Sequence, residues 1–271
     1  MERRALPLEP GFATLIITAY EGDRDSERRY CGRGKAQFKD GHQYHGAFSN
    51  GKMHGEGRYM WDNGTVFEGT FKHNAVEGKG TYTWPDGSTY AGDVLDGLRN
   101  GHGTFSGAGG FPVYEGAWRA GKRHGSGSLW YDEDRECFYR GDWSDDRREG
   151  EGMMHFSSGN TYVGGWKADQ KHGKGTMDWL DRRERYVGEW EHDNPHGHGE
   201  HAWLDERPKH ADAATQRQMC NRYCGEWQAG HRHGMGTFSY ADGALYKVLR
   251  ARVTAASFVP SLLFSLHVHA G

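Results

Sequence analysis

The chain has 271 residues, of which 35% are hydrophobic and 13% aromatic, with 42 glycines and 10 tryptophans, so large flat side chains must replace the usual aliphatic filling of a core. A net charge of -3, from 34 basic and 37 acidic residues, creates no strong field for nucleic acid or for an acidic membrane. Four scattered cysteines, Cys31, Cys137, Cys220 and Cys224, are too few to staple a chain of this length and favour a reducing compartment.

Residues 1–14 read as a flexible N-terminal segment, and the apolar run Ala13–Ala19, which lacks a cleavage site, reads as the start of a first strand. From residue 15 to 246 the chain repeats. Tyr-x-Gly (Phe in one copy) falls at Tyr44, Phe67, Tyr90, Tyr114, Tyr139, Tyr162, Tyr186, Tyr223 and Tyr246, with gaps of 23, 23, 24, 25, 23, 24, 37 and 23 residues. Gly-x-Gly recurs in step, its first glycine at 32, 55, 78, 101, 125, 150, 173, 197 and 234. About nine units result, with one insertion near 204–222 that leaves the phase of the next unit unchanged.

Each unit reads as strand, turn, strand, turn, as in "YHGAF", "SNGKMH", "GEGRYMW", "DNG". The Asn-Gly and Asp-Gly links are hairpin signals, and no segment carries helical periodicity, so the expected fold is all-β and antiparallel. Alternation of side chains across a strand places Tyr44, Gly46 and Phe48 on one face, with Gly55, Gly57, Tyr59 and Trp61 on that face of the partner strand. A glycine without a Cβ leaves a seat for a ring, and the other face, with His45, Arg58, Glu68 and Glu115, is polar. Hairpins that touch chiefly their neighbours build an elongated single-sheet solenoid, whose open edges invite a further strand or a second copy. The last part, 247–271, departs from the pattern, with Val248 and Arg250 where Gly and an aromatic belong. Its apolar stretch is interrupted by Pro260 and too short to span a bilayer.

"YHGAFSNGKMHGEG", "YEGAWRAGKRHGSG", "YVGGWKADQKHGKG" and "YCGEWQAGHRHGMG" resemble the MORN repeat over about residues 30 to 246. At finer grain, "YTWPDGSTYAGDVLDGLRNGHGTF" and "WRAGKRHGSGSLWYDEDRECFYRGDW" resemble the radial spoke head protein 10 homologue B family, with a truncated or alternative C-terminus. That resemblance implies a non-enzymatic scaffold of the cilium or flagellum axoneme, in the cytoplasm and cytoskeleton. It also implies partners among other radial spoke head proteins. The alternative is a peripheral tether to anionic phospholipids.

The residues offer no chemistry of their own. His54, His124, His172, His196 and His233 precede Gly-x-Gly as turn residues rather than as a converging zinc set. No Gly-x-Gly-x-x-Gly or P-loop occurs, and no His-Glu-x-x-His or Gly-x-Ser-x-Gly. The expectation is therefore no catalytic residue, no cofactor and no metal. Two sets of residues are candidates for partner binding: Tyr44, Trp118, Trp166 and Trp227, where their rings stay uncovered, and a row of cations before Gly-x-Gly, comprising Lys52, Arg99, Lys122, Arg123, Lys171 and Arg232.

Overall fold

A computed structural model describes residues 6–12, 15–204, 220–241, 243–250 and 266–267. Residues 1–5, 13–14, 205–219 and most of the tail lie outside these, and with them most of the insertion and of the divergent C-terminal part. The described chain is all-β and divides into two compact units, one of residues 1–135 with 142–146 and the other of residues 136–141 with 147–271.

Unit 1 contains β1 (Ile17–Arg24), β2 (Tyr30–Phe38), β3 (Gln43–Ser49), β4 (Lys52–Met60), β5 (Val66–Lys72), β6 (Ala75–Thr83), β7 (Thr89–Leu95), β8 (Leu98–Ser106), β9 (Val113–Arg119) and β10 (Lys122–Trp130). Next comes β11 (Phe138–Ser144), whose residues are shared between the two units. Unit 2 continues with β12 (Arg147–His155), β13 (Thr161–Lys167), β14 (Gln170–Trp179), β15 (Glu184–Glu191), β16 (Asn194–Trp203), β17 (Asn221–Gln228), β18 (His231–Ser239), β19 (Leu245–Arg250) and the short β20 (Leu266–His267). Within each unit every strand pairs antiparallel with the next in sequence. β16 pairs directly with β17, so the insertion leaves the ladder unbroken. β19 keeps its register to Arg250, with Val248 opposite Gly236 where the repeat would have glycine.

The turns explain the period. Between β3 and β4, Asn50 and Gly51 have φ of 51° and 78°, the left-handed pair of a two-residue hairpin whose twist matches the strands. Asp145 with Asp146 and Ala168 with Asp169 repeat that geometry, because Asp tolerates the left-handed region better than most side chains.

The core of each unit is built on rings seated over glycine, with the two glycines of each Gly-x-Gly doing different work. Tyr44 lies over Gly46 on its own strand and over Gly57, the residue paired with Gly46. Tyr90, Tyr114, Tyr162, Tyr186 and Tyr223 repeat this, all 2% exposed or less. The ring thus leans along its own strand before covering the neighbour's second glycine. The first glycine instead sits at a register shift: Gly55 has φ 70° where β3 and β4 slip between Gly46 and Phe48. The bulge leaves a carbonyl free, and the tyrosine takes it: Tyr44 Oη donates to Ala47 O at 2.9 Å, Tyr114 to Ala117 O at 3.0 Å and Tyr162 to Gly165 O at 2.9 Å. Burial pushes these phenols above their ordinary range. Glycine weakens a strand by roughly 0.5–1 kcal/mol against alanine, whereas burying 150–250 Å² of ring at about 25 cal/mol/Å² contributes about 4–6 kcal/mol. The seated ring wins.

Candidate functional site: the aromatic and cationic face

Strand parity divides the expected row of cations. Lys52 and Lys122, first residues of their strands, are exposed. The residue after each points to the aromatic face, where Arg99 is 1% exposed. The guanidinium of Arg99 lies 4.7 Å from the Trp118 ring, Arg123 4.3 Å from Trp143 and Arg148 4.2 Å from Trp166. Lys171 Nζ stands 4.4 Å over Trp190, and burial pulls its ammonium below the ordinary value while Asp193 pulls it back. Arg232 lies 5.7 Å from Trp203 and 5.5 Å from Tyr223. The expectation of a basic edge built from Lys52, Arg99, Lys122, Arg123, Lys171 and Arg232 is therefore corrected. Alternation turns one cation out and the next inward as a lid on a tryptophan.

A carboxylate one repeat further on fixes two of the inward arginines, Arg123 and Arg148. Asp146 Oδ1 accepts from the backbone N–H and the Nε of Arg123 at 3.1 and 3.0 Å, and Arg123 Nη2 donates to Asp146 O at 3.1 Å. Asp169 holds Arg148 in the same three ways, at 3.0, 3.2 and 2.8 Å. These pairs are largely withdrawn from water, so Asp169→Asn should lower stability by about 2 kcal/mol. Asp145→Asn, whose exposed carboxylate is 3.8 Å from Arg119, should cost at most a few tenths. Urea denaturation of both variants measures the contrast.

The four rings that would anchor partners only where uncovered are core. Tyr44, Trp118, Trp166 and Trp227 are 1%, 3%, 5% and 7% exposed. The three indoles donate to strand carbonyls, Trp118 to Gly103, Trp166 to Gly152 and Trp227 to Gly199, at 3.0–3.2 Å. They are covered because each wedges edge-on between two seated tyrosines, as Trp166 does at 5.4 Å from Tyr139 and 5.2 Å from Tyr162.

The aromatic residues that do meet something beyond the sheet stand four positions after the second glycine. In unit 1 these are Trp61 and Trp84, and what they meet is residues 6–12. Trp84 Nε1 donates to Leu8 O and Trp61 Nε1 to Gly11 O, both at 3.1 Å, and Phe12 packs 4.9 Å from Tyr59 and 5.7 Å from Trp61. Arg99 Nη2 donates to Pro7 O at 3.0 Å, and the Arg99 Nε lies 2.5 Å from Glu9 Oε1. Residues 6–12 thus lie against this face, where two indoles and a guanidinium find their acceptors in the segment's backbone. In unit 2 the same strand position carries Trp179 and Trp203, both half-buried. Trp203 stacks 4.3 Å from His201 and 5.5 Å from Phe238, and burial pulls the His201 imidazole below its ordinary value. A tryptophan four residues after the second glycine, at Trp61, Trp84, Trp179 and Trp203, was the sequence signal for this row.

Among the described residues no group of three or more His, Cys, Asp or Glu could hold a metal ion. No helix of these residues is long and apolar enough to cross a membrane.

Tandem hairpins of ring on glycine, closed by cations over tryptophan, define a β-hairpin repeat protein. The MORN repeat matches residues 44–66, 67–89, 90–110, 114–135, 139–161, 162–181, 186–205 and 223–245. The chain belongs to the MORN-repeat family. Among solved structures, it aligns to the wild-type TCP10 domain of Danio rerio CPAP, determined in complex with a peptide of Danio rerio STIL. The TM-score is 0.44 and the identity 8%, over 84% of this chain and 93% of that one.

Proposed function

We propose that the chain is a non-enzymatic scaffold that presents its aromatic face to polypeptide partners. We also propose that it serves in the radial spoke head of the ciliary or flagellar axoneme, among other radial spoke head proteins. The family suggests a repeat-based interaction scaffold or a membrane-binding role. What favours a polypeptide is that the face of unit 1 carries one: guanidinium and indole donors take the backbone carbonyls of Pro7, Leu8 and Gly11. What weighs against a lipid tether is that the inward cations are already engaged with rings and carboxylates, and a headgroup surface rewards basic side chains that stand free near it. The axonemal setting rests on the resemblance of residues 82–105 and 118–143 to the radial spoke family.

Proximity labelling in a motile ciliated cell tests the setting, with axonemal proteins expected as neighbours; membrane proteins in their place would sink it. In flotation with phosphatidylserine-containing vesicles at physiological salt, the chain should stay at the bottom of the gradient. Co-flotation that fades as salt rises would favour the tether.

A further inference from the structure

The scaffold reading leaves open what kind of segment the face accepts, and the Arg99 position answers in chemical terms. Arg123 and Arg148 receive their carboxylate from the turn one repeat later, Asp146 and Asp169. At the turn that should serve Arg99 the residue is Gly121. Its backbone N–H still donates to Arg99 O at 2.8 Å, as Asp146 N–H does to Arg123 O at 3.1 Å, but it has no carboxylate to offer. Glu9 supplies one. Its Oε1 accepts from the Arg99 backbone N–H at 3.2 Å and lies 2.5 Å from Nε, while Pro7 O takes Nη2 at 3.0 Å. Glu9 and Pro7 together thus stand where one internal Asp stands elsewhere, with a carboxylate at the backbone N–H and beside Nε and a carbonyl for Nη2. A Cβ added to Gly121 would meet Glu9 Oε2 at 3.2 Å, so the incoming carboxylate stands in the space of the missing side chain. Both partners are withdrawn from water, with Arg99 and Glu9 side chains 1% and 4% exposed.

The rest of the segment fits an added ligand better than a strand of the fold. Pro7 and Pro10 fix their own φ and push Leu6 and Glu9 toward extended conformations, so little entropy is lost on docking. Leu8 is 84% exposed; the face takes its carbonyl through Trp84 and ignores its side chain.

We propose that Arg99, Gly121, Trp84 and Trp61 form a recognition groove for an extended partner segment of the type Pro-x-Glu-Pro-x-aromatic, and that residues 6–12 occupy it in cis as a built-in competitor. This deepens the scaffold reading and rests on it only in taking the partner to be a polypeptide. A partner presenting the same carboxylate between prolines displaces residues 6–12, so access to the groove depends on competition between two like segments.

The test uses fluorescence anisotropy with a fluorescein-labelled peptide, Leu-Pro-Leu-Glu-Pro-Gly-Phe, on the full chain. Glu9→Gln weakens the resident segment and should tighten peptide binding at least tenfold over the wild type. Adding Gly121→Asp to that variant installs the internal carboxylate seen at Asp146 and Asp169, in the left-handed backbone that Asp adopts there (φ 68° and 73°, against 80° at Gly121). It should abolish the gain without lowering the melting temperature. A peptide with Gln for its Glu should bind at least tenfold more weakly. Equal binding by wild type and Glu9→Gln, no binding by a folded Glu9→Gln chain, or indifference to Gly121→Asp each overturns the proposal. Concentration-dependent dimerisation of the wild type with no response to added peptide would assign the groove to a second copy and overturn it too. None of these results bears on the axonemal setting, which the labelling experiment tests separately.

Discussion

Gly199→Ala, the addition of one methyl group, is expected to cost about 3 kcal/mol. The Cβ built at Gly199 clashes with the hydroxyl end of the Tyr186 ring, 2.5 Å from Cζ and 2.6 Å from Cε2. That ring is 0% exposed. It cannot lift off, because Trp190 and Trp227 flank it at 5.1 and 5.2 Å and its hydroxyl is bound to Glu189 O at 3.0 Å. Overpacking a close-packed site costs roughly 1–3 kcal/mol where neighbours can shift, and these have little room. Two other glycines separate the causes. Gly11→Ala meets nothing within 4 Å at ordinary φ and should be neutral. Gly125→Ala places a Cβ 3.3 Å from Ala117 at φ 69° and should lose about 1–2 kcal/mol from the backbone alone. Urea midpoints order the three. A double variant with Tyr186→Ala should cost less than the sum of its parts if the clash is the cause, and strict additivity would dismiss it.

Why this much was legible in the sequence, and no more, follows from what repetition can encode. Gly46, Gly57 and Tyr44 recur at fixed offsets because one tyrosine needs both bare backbones, so the period, the antiparallel hairpins and the shared face could be read from spacing. The bulge could not. Gly55 and Gly57 look alike in a string of letters, yet one supplies left-handed backbone and the other a seat. The site was misread for a related reason. Lys122 and Arg123 are adjacent cations, and only strand parity tells that one faces solvent while the other covers Trp143. Tyr44 and Trp166 are candidate anchors only where uncovered, and whether a ring is covered depends on its neighbours' width, here enough to close over both.

Glu9 carried no periodic signature at all. The segment around it contains neither Tyr-x-Gly nor Gly-x-Gly and matches no unit of the repeat. Its role shows only when Arg99 is compared with Arg123 and Arg148 and Gly121 is seen to lack what Asp146 and Asp169 provide. The informative departure was thus a single small residue in a turn. A repeat exposes such positions well, because every other copy states what should have stood there.

The second large effect is expected at Trp166→Ala, which should cost about 3–5 kcal/mol. The change removes a ring that is 5% exposed, wedged between Tyr139 and Tyr162. It also removes the donor to Gly152 O at 3.2 Å and the surface over which Arg148 lies at 4.2 Å. A cavity, an unmet carbonyl and a cation without its ring then coincide, and the two tyrosines cannot close a gap that their hydroxyls and glycine seats hold open. Trp179→Ala, at a half-buried ring 6.5 Å from Trp190, leaves a site open to water and should cost about 1–2 kcal/mol. Because each hairpin leans chiefly on its neighbours, the loss at Trp166 should appear first as faster amide exchange in β12–β14 and then as a lower urea midpoint. A midpoint unchanged from wild type would mean that Trp166 is free in solution, and the packing of ring on ring described for this face would not survive that result.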